Sequence, residues 1–185
     1  MSTTADIDAR RTETVKPNER DEAEFLAGIG RHAGIVRKVA ASYANGAANR
    51  RDLEQEIVAQ LWRSYPAFDG ARPFATWMYR VALNVAITIA RSRRRHEPVA
   101  LDDDALFGGE DTAEREHGIR ELRRFIGALD ELNRALIVLY LDGQSYREIA
   151  EVLGISETNV ATKINRVKRA LRERMNPEGD HDGAR

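Results

Sequence analysis

The chain has 185 residues, with 29 lysines and arginines against 30 aspartates and glutamates, and no cysteine. Its length allows one domain or two small ones, and the lack of thiols excludes disulfides, thiolate metal sites and cysteine nucleophiles. A formal net charge of -1 excludes any argument for a nucleic-acid partner from total charge, so the distribution has to carry it.

Residues 1–20 are polar, contain Pro17 and lack apolar periodicity, which predicts a disordered tail. They hold no apolar core of a secretory leader, so a cytoplasmic protein is expected. From Asp21 to Tyr43, Phe25, Leu26, Ile29, Ile35, Val36 and Val39 recur at helical spacing, weakened by Gly28, Gly30 and Gly34. Residues 43–51 read as a loop around Asn45-Gly46. A helix is expected from Asp52, as N-cap, to the break at Pro66. It should turn Leu53, Ile57, Val58, Leu61 and Trp62 inward and Glu54, Glu56 and Gln60 outward.

The segment PAFDGARP, 66–73, is a short loop bracketed by prolines. It opens the most informative stretch, PFATWMYRVALNVAITIARSRRR, 73–95. Residues 72–95 carry six arginines and no acid. On a helical wheel Phe74, Met78, Val81, Val85 and Ile89 form an apolar stripe, while Trp77, Arg80, Asn84, Thr88, Arg91 and Arg95 gather elsewhere. Arginine pairs with phosphate, asparagine reads base edges and an indole stacks on an unpaired base. Six of the chain's twelve aromatics lie between Trp62 and Tyr79. Trp62, Phe68 and Phe74 are expected in a core, and Trp77 and Tyr79 fit either a core or a binding surface. The uncharged run Val81–Ala90 is half of the roughly 20 residues a membrane span needs, so no insertion is expected.

Residues 96–113, with Pro98, Gly108, Gly109 and three successive aspartates, read as a flexible acidic linker. Between 101 and 116 seven acids face one arginine. The aspartates lack the glycine-turned, oxygen-rich loop of a calcium site. Glu114 and His117 match only half of a di-iron helix pattern, and the four histidines have no metal-ligand spacing. Neither metal nor cofactor is expected.

Helices are expected over 115–129 and 133–141, with a turn at Asp142-Gly143. Next comes SYREIAEVL, 145–153, then Gly154 as a left-handed stop, Ile155 in the angle and Ser156 capping a helix to about Met175. Val160, Ile164, Val167 and Leu171 point inward. Six bases against two acids mark residues 156–174. This is a helix-turn-helix pattern, in which small Ala150 permits close approach and the second helix enters a major groove. A plain helical hairpin is the alternative. Residues 176–185 read as a disordered tail. The fold class is all-α: an N-terminal helical bundle over 21–95 and a C-terminal helix-turn-helix domain over 114–175, joined by the acidic linker.

DLEQEIVAQLW with SYPAF, then FATWMYRVALNVAITIARSRRR, and finally SYREIAEVLGISETNVATKINRVKRALR, resemble the two conserved parts of a bacterial sigma factor. The chain is similar to the extracytoplasmic-function group of the sigma-70 family, from about Glu24 to Arg174. The resemblance implies a non-enzymatic initiation factor that docks on core RNA polymerase through Asp52, Glu54, Gln55, Glu56 and Gln60. It implies that Phe68, Arg72, Trp77, Arg80, Asn84, Thr88 and Arg91 recognise and melt the minus-ten promoter element. Ser156, Thr158, Asn159, Thr162, Lys163 and Arg166 would read the minus-thirty-five element, the cations mainly through phosphates. Thr88 and Thr158-Asn159 depart from common family residues and bear on promoter sequence. The resemblance also implies an anti-sigma partner and a free monomer. Two rivals are a conventional helix-turn-helix regulator with a sensing or dimerising domain, and a nucleic-acid enzyme such as a recombinase. The first leaves the acid-free helix without purpose, and the second lacks a catalytic constellation.

Overall fold

The computed structural model describes residues 19–94 and 113–175, and all regular structure among them is helical. The expected tails and the acidic linker lie outside these residues, except that 19, 20 and 113 open helices. The first group comprises α1 (Glu19–Arg31), α2 (Ala33–Tyr43), α3 (Ala47–Ser64), a 3-10 turn at Tyr65–Ala67 and α4 (Phe74–Arg94). The second comprises α5 (Ala113–Ala128), α6 (Glu131–Leu141), α7 (Tyr146–Leu153) and α8 (Glu157–Met175).

Two boundaries differ from the sequence reading. The single helix expected over 21–43 is broken at His32, whose ψ of 20° leaves the helical region. The glycines on either side, Gly30 and Gly34, hold the helix weakly and let the chain change direction there. α3 begins at Ala47, directly after Gly46 with a φ of 78°, so Asp52 is an interior residue and not an N-cap. The added turn, AANRR, has no apolar residue larger than alanine to reveal it by periodicity.

Other local signals are realised closely. Pro66 sits in the 3-10 turn that ends α3. Ser145 and Glu148 form a reciprocal capping box on α7, and Gly154 stops that helix with a φ of 68°. The Ser156 hydroxyl accepts from the Asn159 amide at 3.2 Å, capping α8.

The buried residues form one principal cluster that runs through both groups. Phe25, Val39, Ile57, Leu61, Met78 and Leu83 belong to it, and so do Leu136, Leu139, Ile149 and Ile164. A smaller cluster of Phe125, Ile137 and Val167 lies within the second group. α4 packs on α2 and α3 as expected, and also on α7 and α6. Its buried arc is therefore rotated from the stripe read from the sequence, of which only Met78 is fully covered. Met78, Tyr79, Ala82, Leu83 and Ala86 are buried, whereas Phe74, Val81, Val85 and Ile89 are half-buried.

Close approach explains one glycine. A Cβ on Gly28 would lie 2.7 Å from the Phe74 ring, so a side chain at that point would force the ring to shift.

Candidate nucleic-acid interface

The loop before α4 has a defined shape. The Phe68 amide donates to the Tyr65 carbonyl at 2.9 Å, and the Ala71 amide donates to the Asp69 carboxylate at 3.0 Å. With Gly70 at a φ of 69°, these bonds turn the chain sharply. Phe68 is carried onto Trp77, with ring centroids 5.1 Å apart, and onto Phe74 at 5.5 Å. Tyr65 closes the group against Phe25 at 5.2 Å. Trp62 and Phe74, expected in the core, are half-buried at its edge, as is Trp77, and Phe68, also expected there, is half-buried on the rings of Tyr65, Phe74 and Trp77. Tyr79 is a core residue, 1% exposed, so it is no surface reader.

Arg80, Asn84, Thr88 and Arg91 are all exposed along α4. By their helical angles, Trp77 and Asn84 occupy the middle of this face, the two arginines one flank and Thr88 the other. The Thr88 hydroxyl donates to the Asn84 carbonyl at 2.7 Å, so its oxygen remains an acceptor while its proton is committed to the helix. On the Thr88 side the surface falls into a groove of about 680 Å³, whose lining includes Asp52, Glu56, Gln60, Asn84 and Thr88. The groove sets the Asp52 and Glu56 carboxylates against a single cation, Arg93, whereas the opposite flank of the face carries Arg80 and Arg91 and is the more favourable path for an anionic backbone. Arg72 stands beside this face and pairs with Glu151 of α7 at 3.0 Å.

The five residues expected to face polymerase do not share one surface. Asp52, Glu56 and Gln60 line the groove just described. Glu54 and Gln55 line a second groove of about 650 Å³ on the other side of α3, with Leu26, Ile29, Val58 and Trp62. Leu26 is 58% exposed and Val58 37% exposed. The sequence reading turned Val58 inward because it stands three residues before Leu61 and four before Trp62, and only packing separates them.

In the second group, Ser156, Thr158, Asn159, Thr162 and Arg166 are exposed, and Lys163 is half-buried. Their roles are unequal. The Ser156 hydroxyl is occupied by the cap, and the Thr162 hydroxyl donates to the Thr158 carbonyl at 2.9 Å. Lys163 lies near Asp130. Burial pushes the Asp130 carboxyl up, but hydrogen bonds from Asn133 and the Lys163 charge leave it below its usual value. Asn165, absent from the sequence reading, is exposed. It falls between Thr158 and Arg169 on the outward stripe of α8, and its amide type could have marked it. Among the described residues no cluster of acids and histidines could hold a metal ion, and no helix is long and apolar enough to cross a membrane.

Comparison with known proteins agrees with this arrangement. The family described as sigma-70 region 2 matches residues 29–96, and that described as sigma-70, region 4 matches residues 119–171. The RNA polymerase sigma factor CnrH of Cupriavidus metallidurans is 30% identical over 177 residues, covering 89% of this chain and 93% of that protein. The ECF RNA polymerase sigma factor SigL of Mycobacterium tuberculosis is 30% identical over 146 residues, covering 76% and 82%. Among solved structures, CnrH in complex with the cytosolic domain of CnrY superposes with a TM-score of 0.63 at 24% identity, covering 85% of this chain and 91% of that one. RpoE in complex with the anti-sigma factor NepR from Bartonella quintana gives a TM-score of 0.66 at 17% identity, covering 87% and 99%. These two likenesses establish the fold. With both regions present in order and relatives at 30% identity matched over most of their length, the chain belongs to the extracytoplasmic-function group of sigma-70 family RNA polymerase sigma factors, which direct the polymerase to promoters.

Proposed function

We propose that α1–α4 and α5–α8 divide promoter recognition between them, and that no covalent chemistry is involved. The observation that carries this reading is the exposed, acid-free face of α4, which begins at the Phe68–Trp77 aromatic group and continues through Arg80, Asn84, Thr88 and Arg91. A melted minus-ten strand lies along it, with phosphates on Arg80 and Arg91 and a base against the exposed part of Trp77. Stacking of about 1–3 kcal/mol per base offsets the few kcal/mol needed to unstack it.

The start of α8 enters the major groove of the minus-thirty-five element. Thr158, Asn159, Thr162 and Asn165 face base edges, and Arg166 and Lys163 meet phosphates. Ser156 serves as the cap that orients the helix. Polymerase docks along the exposed ridge of α3, with Leu26 and Val58 as apolar anchors beside Glu54 and Gln55, and Asp52, Glu56 and Gln60 on the opposite flank. The factor acts in the cytoplasm, as a monomer when free. An anti-sigma protein restrains it, by analogy with the partner named for the Bartonella relative.

Transcription of fragmented genomic DNA by purified core polymerase, with and without the protein, tests this reading when transcript 5′ ends are mapped. New starts sharing two upstream elements are expected. Absence of new starts, together with tight sequence-specific duplex binding by the protein alone, would instead support a conventional helix-turn-helix regulator.

A further inference from the structure

α4 offers the melted strand one group whose hydrogen-bonding sense is fixed by the helix itself. Thr88 is exposed, and its hydroxyl donates to the Asn84 carbonyl one turn earlier at 2.7 Å. A hydroxyl has one proton and two acceptor lone pairs, so with the proton held inward the oxygen turns only lone pairs to a ligand. Turning the proton outward would give up this bond, whereas accepting a hydrogen bond leaves it in place and is strengthened by it. Thr88 therefore favours a donor over an acceptor. Asn84, beside it, has no such bias, because an amide presents both senses.

The surroundings push in the same direction. Thr88 lines the groove of about 680 Å³ together with Asp52, Glu56 and Gln60. Arg63 draws on part of this acceptor set, donating to Glu56 at 2.7 Å and to Gln60 at 3.0 and 3.1 Å. The carboxylate of Asp52 adds a field that favours a donor dipole and disfavours a carbonyl oxygen. Arg93 is the groove's cation, but it is five residues further along α4, about 140° round the helix from Thr88 and 7.5 Å along it. That position suits a phosphate better than the base edge in front of Thr88. Arg80 and Arg91 lie about 60–80° round the helix from Thr88 on the other side. A strand whose phosphates follow these two arginines points its bases across Asn84 toward Thr88.

The base edge that meets an acceptor best is the one where adenine and cytosine carry an amine, N6 or N4, and where thymine and guanine carry a carbonyl oxygen, O4 or O6. We propose that Thr88 selects an amino base, adenine or cytosine, over a keto base at the minus-ten position it faces, with the amine donating to the Thr88 oxygen. The inference rests on the assignment of α4 as the strand-receiving helix and names the base chemistry it takes. One net hydrogen bond corresponds to a preference of about five-fold. The competing contact is the Thr88 methyl group, which would favour the thymine methyl instead.

The full chain with core polymerase is given a pool of linear templates with random upstream sequence, each identified by a barcode in its transcript. Enrichment over core polymerase alone gives the base preference position by position. The unsubstituted chain should favour adenine or cytosine about five-fold at one minus-ten position. Thr88→Val keeps the branched shape and removes the oxygen, and it should level that position alone. Thr88→Ser keeps the oxygen and loses the methyl group, and it should retain the preference. Arg80→Ala should lower the yield of transcripts with every base preference unchanged, because a phosphate contact carries no sequence. Both positions are exposed, and unchanged helical circular dichroism verifies the fold of each variant. A keto base at the position that responds to Thr88→Val would overturn the inference. So would a thymine preference that survives Thr88→Val and is lost in Thr88→Ser, since the methyl contact would then decide. If Thr88→Val left every position unchanged while Arg80→Ala lowered the yield, the role of Thr88 alone would fall. If Arg80→Ala changed nothing, or no sequence was enriched, the assignment of α4 would fall with it.

Discussion

The two DNA-facing helices, α4 and α8, are presented in different ways. α4 is enclosed by α2, α3, α6 and α7 and exposes only a strip, at whose start four aromatic rings, Tyr65, Phe68, Phe74 and Trp77, are already packed together. α8 leans on α5, α6 and α7 through a narrow line of Val160, Ile164 and Val167, and its first turns stand clear. The difference fits their tasks. Holding an unstacked strand requires a rigid platform that loses little entropy on binding, whereas groove reading requires only that a few side chains protrude at the correct angle.

The largest expected effect comes from removing the strip itself. Trp77→Ala combined with Arg80→Ala should leave polymerase association intact and weaken promoter opening by about 2–4 kcal/mol, combining one lost stack with one lost phosphate pair. Permanganate footprints measure it, and footprints equal to the unsubstituted protein would break the contrast between platform and reader.

Next is the platform's support. Gly28→Ala places a methyl group against the Phe74 ring and should cost about 1–3 kcal/mol by overpacking. A thermal melt reads this loss, and promoter opening should fall more than duplex reading, since Phe74 carries Phe68 and Trp77.

Asn165→Ala probes the other reader. It should cost about 1–2 kcal/mol at one base pair and relax the preference there, with little change in stability because the residue is exposed. Selection from a randomised minus-thirty-five element checks it, and an unchanged base preference would remove Asn165 from the reading face.

The smallest effect concerns the cap that sets the entry of the helix-turn-helix. Ser145→Ala should cost about 1 kcal/mol. Hydrogen bonds from the Ser145 side chain and backbone hold the Glu148 carboxyl below its usual pKa. A carboxylate depressed in the folded state contributes stability above its ordinary range and loses it as pH falls through the lowered value. The gap between the two proteins should therefore narrow in acid and be constant at neutral pH.

Features set by neighbouring residues were legible in the chain. The capping box, the Gly154 stop and the Ser156 cap each depend on a few consecutive positions, and the acid-free composition of α4 needed no geometry to be noticed. Features set by distant partners were hidden. Leu26 and Val58 share the period of core residues, yet they line an open groove because no helix covers them. Arg134, which stands just before an apolar run and carries no local mark of burial, is only 8% exposed. Its guanidinium donates to the carbonyls of Ile126 at 3.2 Å, Leu129 at 3.2 Å, and Gly127. The polar contacts between groups join positions 79 to 104 apart, and no spacing within a helix can announce them.

Arg134 also has a thermodynamic consequence. It satisfies carbonyls at the C-terminal ends of α5 and α2 at once, so neither helix can fray at that end without disturbing the other. The two groups should then melt as one calorimetric unit, with van't Hoff and calorimetric enthalpies equal.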